Sequence, residues 1–290
     1  MPRLAGAPIT WGVCEVLGWG HQLARDRVLT EMVGAGLTAT ELGPRGFLPD
    51  DPGEVRLHLT RYGLTLVGGF VPAVLHREAI RIPQLTLVEN SARTLAGAGA
   101  EVLVLAAETG SVGYERIVEL SELEWTTLFR GMAAVQEIGK ECELIVALHP
   151  HYGTVIESEA HIRRVLDSST ISICLDTGHL MVAGADPMTI VRLAAGRIAH
   201  VHLKDVDAAL AARVRAGEIG YRDAVHQGLY RPLGDGDVNI AAIVQALRES
   251  GYAGWYVIEQ DLVIDASTAE ELALENATRS VRYLAEVAAA

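Results

Sequence analysis

Eight short apolar runs alternate with eight longer amphipathic segments along the 290-residue chain. The runs are GAPITWG (6–12), TATELG (38–43), LTLVGGFV (64–71), EVLVLAAE (101–108), LIVALH (144–149), ISICLD (171–176), IAHVHLK (198–204) and GWYVIE (254–259). Such runs suit buried parallel strands. The segments between them, near 22–35, 51–62, 83–99, 121–140, 157–166, 187–196, 239–250 and 268–287, suit helices. Strict alternation repeated eight times predicts one α/β domain over residues 1–290, a single (β/α)8 TIM barrel.

Local chemistry marks where the helices begin and end. Ser121 with Glu124 forms a capping-box pattern. Asp51–Pro52 and Asp186–Pro187 each set a capping Asp before a Pro at the first helical position. Gly36, Gly63 and Gly251 suit the left-handed residue that closes a helix. A dinucleotide-binding open sheet would carry a Gly-rich turn after an early strand, and VGGFVPAV (67–74) lacks that spacing. One connection, about 205–238, is too long for a plain turn; a βα loop of that length is usually a lid or a substrate-contacting excursion.

Composition narrows the partners. Half the residues are hydrophobic and only 5% aromatic, which fits an aliphatic barrel core. A net charge of −13, from 37 acidic against 24 basic residues with no Lys/Arg cluster, argues against nucleic acid. Cys14, Cys142 and Cys174 have no paired spacing and are expected as free thiols. The start, MPRLAGAPIT, has neither a basic nor an apolar leader region, and no run approaches the ~18 apolar residues of a membrane span. A soluble, cytoplasmic protein with no membrane partner is expected.

Chemistry in such a barrel sits where strands hand over to βα loops. Glu41, Glu108, His149, Asp176, His202 and Glu259 lie at or near those ends. Taken singly, each could be a helix cap or a loop contact. His200 suits a buried hydrogen-bonded side chain, Glu108 a cap on the turn after it, and Glu41 either a structural acceptor or a site residue. The last four strands, however, each deliver an imidazole or a carboxylate to one face. His149, Asp176, His202 and Glu259 together make a mixed nitrogen and oxygen set for one divalent ion. That set suits Mn, Co, Fe or Zn better than Ca or Mg. His179, three residues past Asp176, is placed to orient it or to reach substrate.

At these residues the chain resembles the xylose-isomerase-like superfamily of sugar isomerases and epimerases. The matching pieces are CLDTGHLMVAGADP (174–187), RIAHVHLKDVD (197–207), RPLGDGDVNI (231–240) and GYAGWYVIEQD (251–261). Within it, ITWG (9–12), TELGPRGFLP (40–49), HPHYGTVIES (149–158) and DAVHQGLYRPLGDG (223–236) most resemble the inosose dehydratases. The resemblance implies that Asp176, His202 and Glu259 are metal ligands and that His179 contacts substrate. His149 stands where most sugar epimerases carry a glutamate, which removes one of their paired acid/bases.

The implied activity is dehydration of a cyclic keto-polyol such as 2-keto-myo-inositol, with metal-dependent keto-sugar isomerisation or epimerisation as the alternative. Glu259 or His151 would take the α-proton, and His179 or Lys204 would protonate the departing hydroxyl. Trp11, Glu41 and Arg231 are the candidate substrate contacts, Trp11 as a floor under the ring and Arg231 as a donor to hydroxyls. Relatives imply a homodimer or homotetramer. A DNA-repair endonuclease of the same barrel type is disfavoured by the acidic charge, and an inert barrel would have no use for the four-ligand set.

Overall fold

The computed structural model of the chain describes residues 3–111, 113–114, 118–265 and 271–289. Strands β1 (Arg3–Gly6), β2 (Ala39–Glu41), β3 (Thr65–Ala73), β4 (Val102–Ala107), β5 (Ile145–Leu148), β6 (Ser172–Asp176) and β7 (Ile198–Leu203) pair in parallel, each with the next. Two short strands, β8 (Asp205–Val206) and β9 (Tyr230–Arg231), pair antiparallel outside that sheet. Strand β10 (Trp255–Ile258) then joins β7 to β1 and closes the parallel barrel.

Helices cover the outside: α1 (Arg25–Gly34), α2 (Pro52–Tyr62), α3 (Glu78–Ala98), α4 (Glu122–Glu141), α5 (Glu159–Ser168), α6 (Thr177–Val182), α7 (Pro187–Leu193), α8 (Ala208–Arg215), α9 (Tyr221–His226), α10 (Ile240–Glu249) and α11 (Leu272–Ala289). The capping chemistry is formed as expected. Ser121 and Glu124 make a reciprocal box at α4, and Asp51 and Asp186 cap α2 and α7 before their prolines. Residues 268–270 of the last expected helix lie outside the described residues.

Three local expectations are corrected. The run at 6–12 is not a strand: β1 ends at Gly6 and Pro8–Trp11 form a 3-10 helix. Pro8 has no N–H for a ladder and its fixed φ suits a helical start. Helix α3 begins at Glu78, ahead of the expected position, and carries Pro83 within it. The long connection is not loop throughout, since α8, α9 and the β8–β9 pair give it its own framework.

Two layers of core follow from the strand alternation. Outward-facing side chains pack with the helices into one large cluster. Inward, the lower barrel is filled by small residues, with Ala5, Ala7, Ala39, Val67 and Val257 in one group and Val102, Val104, Ala147 and Cys174 in another. Continuing each inward ladder by two residues reaches Glu41, His149, Asp176 and Glu259. Parity thus carries every polar group at the rim to the same side as the small core residues beneath it.

The framework of the long connection hangs on Asp205. Its buried carboxylate accepts backbone N–H groups from Val206 at 2.9 Å, Gly234 at 2.8 Å, Gly236 at 3.0 Å and Val238 at 2.9 Å. Gly236 leaves room for that approach, because a Cβ there would collide with Oδ1 of Asp205. Asp205→Ala should strand two buried and two part-buried donors and cost about 3 kcal/mol. A shift of the urea midpoint corresponding to less than about 1 kcal/mol would show that the loop is held elsewhere.

Candidate active site and metal centre

Asp176 is the hinge between fold and site. Its Oδ1 accepts the N–H groups of Gly178 at 2.9 Å and His179 at 2.7 Å, which caps α6 directly at the end of β6. Its Oδ2 faces inward, 3.2 Å from His149 Nε2, 3.6 Å from His202 Nδ1 and 3.5 Å from Lys204 Nζ. Gly178 must be small here, since an added Cβ would lie 2.5 Å from Lys204 Cβ and 2.8 Å from Tyr230 Cε1.

His202 links the pocket to the barrel interior. Its Nε2 is 3.0 Å from Glu41 Oε1, and Glu41 also meets His200 Nε2 at 2.8 Å. An ionised carboxylate only accepts, so this contact assigns a hydrogen to His202 Nε2. Nδ1 lies 3.0 Å from Glu259 Oε2; burial opposes a charge on the ring, but its acidic neighbours, Glu259 and Glu41 among them, outweigh burial and hold the imidazole well above its ordinary pKa. One candidate ligand atom each from Asp176, His202 and Glu259 lies within 4.8 Å of the others, and the raised pKa of His202 shows that this place favours positive charge. Such a set asks for a cation between its members, so the donor chemistry fits a divalent ion. Glu41 behind His202 fixes the orientation of that ring. His149 adjoins this set through Asp176 and groups with Asp176 and His179, or with Cys174 and His202.

Next to this set stand Lys204, His179 and His151. Lys204 Nζ is 3.0 Å from Glu259 Oε2, 2.8 Å from Asp261 Oδ1 and 2.8 Å from His179 Nε2. Burial opposes its charge, but Asp176, Asp261 and Glu259 outweigh burial and hold the ammonium well above its ordinary pKa. Burial, reinforced by neighbouring cations, keeps the imidazoles of His151 and His179 well below theirs. The two rings stack with centroids 3.5 Å apart. His151 Nδ1 donates to the Tyr152 carbonyl at 2.7 Å, which leaves its Nε2 as an acceptor.

The pocket is roofed. His149, His151, Asp176, His179, His202, Lys204 and Glu259 are all buried. Tyr152 stacks on Tyr221 at 5.2 Å, Tyr114 lies 4.4 Å from the His151 ring, and the Tyr114 hydroxyl donates to Glu15 at 2.6 Å. Beside this roof, a cavity of about 500 Å³ opens between the loops after β1 and β2, lined by Glu15, Gln22, Arg25 and Arg45 among others.

Three expected substrate contacts take other places. Trp11 does not floor the pocket: its indole is wholly buried against the outer layer and donates to Glu31 of α1 at 2.9 Å. Arg231 is turned away from the pocket by strand alternation beside Tyr230, and its guanidinium pairs with Asp207 at 3.0 Å. Glu41 lies beneath His202 with both histidines on its Oε1, so it positions the site from below. The pocket also holds groups that sequence reasoning missed: Asp261, Tyr221 and Tyr230. Asp261 has the parity of Glu259, two residues on, which was the available signal. The tyrosines come from the long connection, where no periodicity marks them.

Glu108, at the end of β4, is half-buried, and its carboxyl is pushed up to about 7 by burial and by Glu15. A carboxyl whose folded pKa exceeds its unfolded value of about 4.3 binds more protons in the folded state between the two values. Its contribution to stability is therefore present at low pH and lost as pH rises from about 4.5 to about 7. Glu108→Gln should gain on the order of 2 kcal/mol relative to the parent across that window. Parallel denaturant midpoints at pH 4.5 and pH 8 would refute this if the difference between the two proteins stayed constant.

The sequence profile of the xylose isomerase-like TIM barrel matches residues 29–287. An inosose dehydratase of Geobacillus kaustophilus (strain HTA426) is 29% identical over 296 residues, covering 97% of this chain and 96% of that protein. Among solved structures, an L-ribulose 3-epimerase superposes with a TM-score of 0.73 at 17% identity, covering 99% of this chain and 94% of that one. The IolI protein, solved with a bound zinc atom, gives a TM-score of 0.72 at 14% identity, covering 99% and 98%. At these identities the two structures share the fold. A profile match across most of the length, on a chain whose eight parallel strands close into a barrel, makes this protein a member of the xylose isomerase-like TIM barrel family.

Proposed function

We propose that the chain is a metal-dependent hydro-lyase that removes water from a cyclic keto-polyol of the inosose type. The observation that carries this reading is Lys204, whose ammonium touches Glu259 at 3.0 Å and His179 at 2.8 Å beside the Asp176–His202–Glu259 donor set. An acid and a base thereby sit in contact on one side of a single pocket. Elimination needs that pairing, whereas inversion of a carbon centre needs proton donors on both faces. The near full-length similarity to an inosose dehydratase supports the same choice.

Dehydration of a β-hydroxy ketone requires loss of the α-proton, stabilisation of the enolate and departure of the β-hydroxyl. Glu259 takes the α-proton, and the C–H electron pair passes into the enolate. Lys204 protonates the β-hydroxyl as its C–O bond breaks, the enolate pair forms the new C=C bond and the carbonyl is restored. Glu259 then returns its proton to Lys204 across their contact, so the cycle needs no outside reactant. His151 offers its bare Nε2 to a substrate hydroxyl, or serves as the base in place of Glu259. One divalent ion, Mn, Co, Zn or Fe, held by Asp176, His202 and Glu259 with His149 beside them, would supply Lewis-acid polarisation of the carbonyl. Each positioned proton transfer contributes about 10²–10⁴-fold.

Asp176→Asn keeps an oxygen for capping α6, so the variant should fold while losing its metal. Elemental analysis should show a metal-depleted protein with native circular dichroism and turnover down at least about 10³-fold. Full turnover in a verified metal-free sample would overturn the metal mechanism. Proton NMR of the product from inosose separates the reaction classes: a dione is expected, and accumulation of an isomeric ketose would instead establish an epimerase.

A further inference from the structure

Lys204 and His179 belong to a closed circuit of five buried side chains. Lys204 Nζ donates to His179 Nε2 at 2.8 Å, and His179 Nδ1 lies 3.3 Å from the Tyr230 hydroxyl. The Tyr230 and Tyr221 hydroxyls are 3.0 Å apart, and Tyr221 donates to Asp261 Oδ2 at 2.9 Å. Asp261 Oδ1 returns to Lys204 Nζ at 2.8 Å as an ion pair, outside the angular range of a directed hydrogen bond. Asp261 comes from the end of β10, Tyr221 opens α9, and Tyr230 lies on β9. The side-chain amide of Gln260 donates to the Tyr230 carbonyl at 3.1 Å and pins that strand over the pocket.

The hydrogens in this circuit have one consistent arrangement. An ionised carboxylate only accepts, so the Tyr221 hydrogen points to Asp261. Tyr221 then accepts from Tyr230, whose remaining lone pair faces His179. An ammonium only donates, so His179 Nε2 accepts from Lys204 and its hydrogen must reside on Nδ1, toward Tyr230. Both ends of the circuit thus impose the same tautomer.

We propose that Asp261 and Tyr221 are positioning residues, which aim the Lys204 ammonium between Glu259 and His179 and hold His179 in its Nδ1–H tautomer through two tyrosine hydroxyls. Their importance for turnover rests on the hydro-lyase reading above; their effect on His179 does not. In Asp261→Asn the Lys204 ammonium loses the carboxylate that aims it at His179 Nε2, and the side-chain amide can donate to Tyr221, which reverses the chain and delivers the Tyr230 hydrogen to His179 Nδ1. In Tyr221→Phe Asp261 loses the hydroxyl that fixes it and holds Lys204 against His179 less firmly, while the Tyr230 hydrogen loses its acceptor and competes for the same atom.

The test is nitrogen NMR of ring-labelled histidine in the zinc-loaded full chain, with His179→Gln to assign the signals. The parent should show a protonated Nδ1 and an unprotonated Nε2. Asp261→Asn should exchange the two, and Tyr221→Phe should give a mixture. Both variants should lower kcat about 10–100-fold with KM within about threefold, as expected for loss of an aimed proton donor. An unchanged His179 tautomer in both variants overturns the proposal, and so does a loss confined to KM. If Asp261→Asn fails to fold, Tyr221→Phe decides alone. Absence of dione from the parent protein would sink the hydro-lyase reading while leaving the tautomer result standing.

Discussion

The carboxylate of Asp176 is committed in two directions, and the site exists because of that. One oxygen caps α6 and so places His179 within a turn of the strand end. The other points into the barrel mouth at His149, His202 and Lys204. A helix beginning on the very next residue leaves no slack, so the relation of Asp176 to His179 is set by backbone geometry. Gly178 between them completes the constraint, because Lys204 and Tyr230 pack where its side chain would be.

Around that pivot the problem is one of buried charge. Asp176, Glu259 and Asp261 all lie in a pocket nearly closed to water. Charges so placed are tolerated only when paired, since desolvating an isolated ion costs several kcal/mol or more. Lys204 reaches all three carboxylates, and Nδ1 of His202 faces two of them. The compensation is divided between a fixed ammonium and a place suited to a divalent ion.

Much of this was legible in the chain. His149, Asp176, His202 and Glu259 were found because each ends an apolar run, and barrel strands alternate with period two, so strand-end polar residues share a face. Lys204 and Asp261 carry the same parity as His202 and Glu259, so the two-residue repeat points both into the pocket. Trp11 failed as a pocket floor because Pro8 converts the expected strand into a 3-10 helix and rotates the indole outward. Arg231 failed because it adjoins Tyr230 on a two-residue strand that no sequence pattern announces, and alternation sends the two side chains opposite ways.

Local patterning sets the barrel, its strand ends and the kinds of side chain gathered there. These follow from local periodicity, capping residues and the two-residue repeat, all properties of short stretches. Only the tertiary structure decided which groups touch. It turned Glu41 from a candidate substrate contact into the acceptor beneath His202, and it folded Tyr221 and Tyr230 back from the long connection onto His179 and Asp261. Those contacts join residues from 40 to 161 positions apart. Such separations are bridged by barrel closure and by the loop network around Asp205, and the direction of each hydrogen bond depends on partners that no local stretch contains.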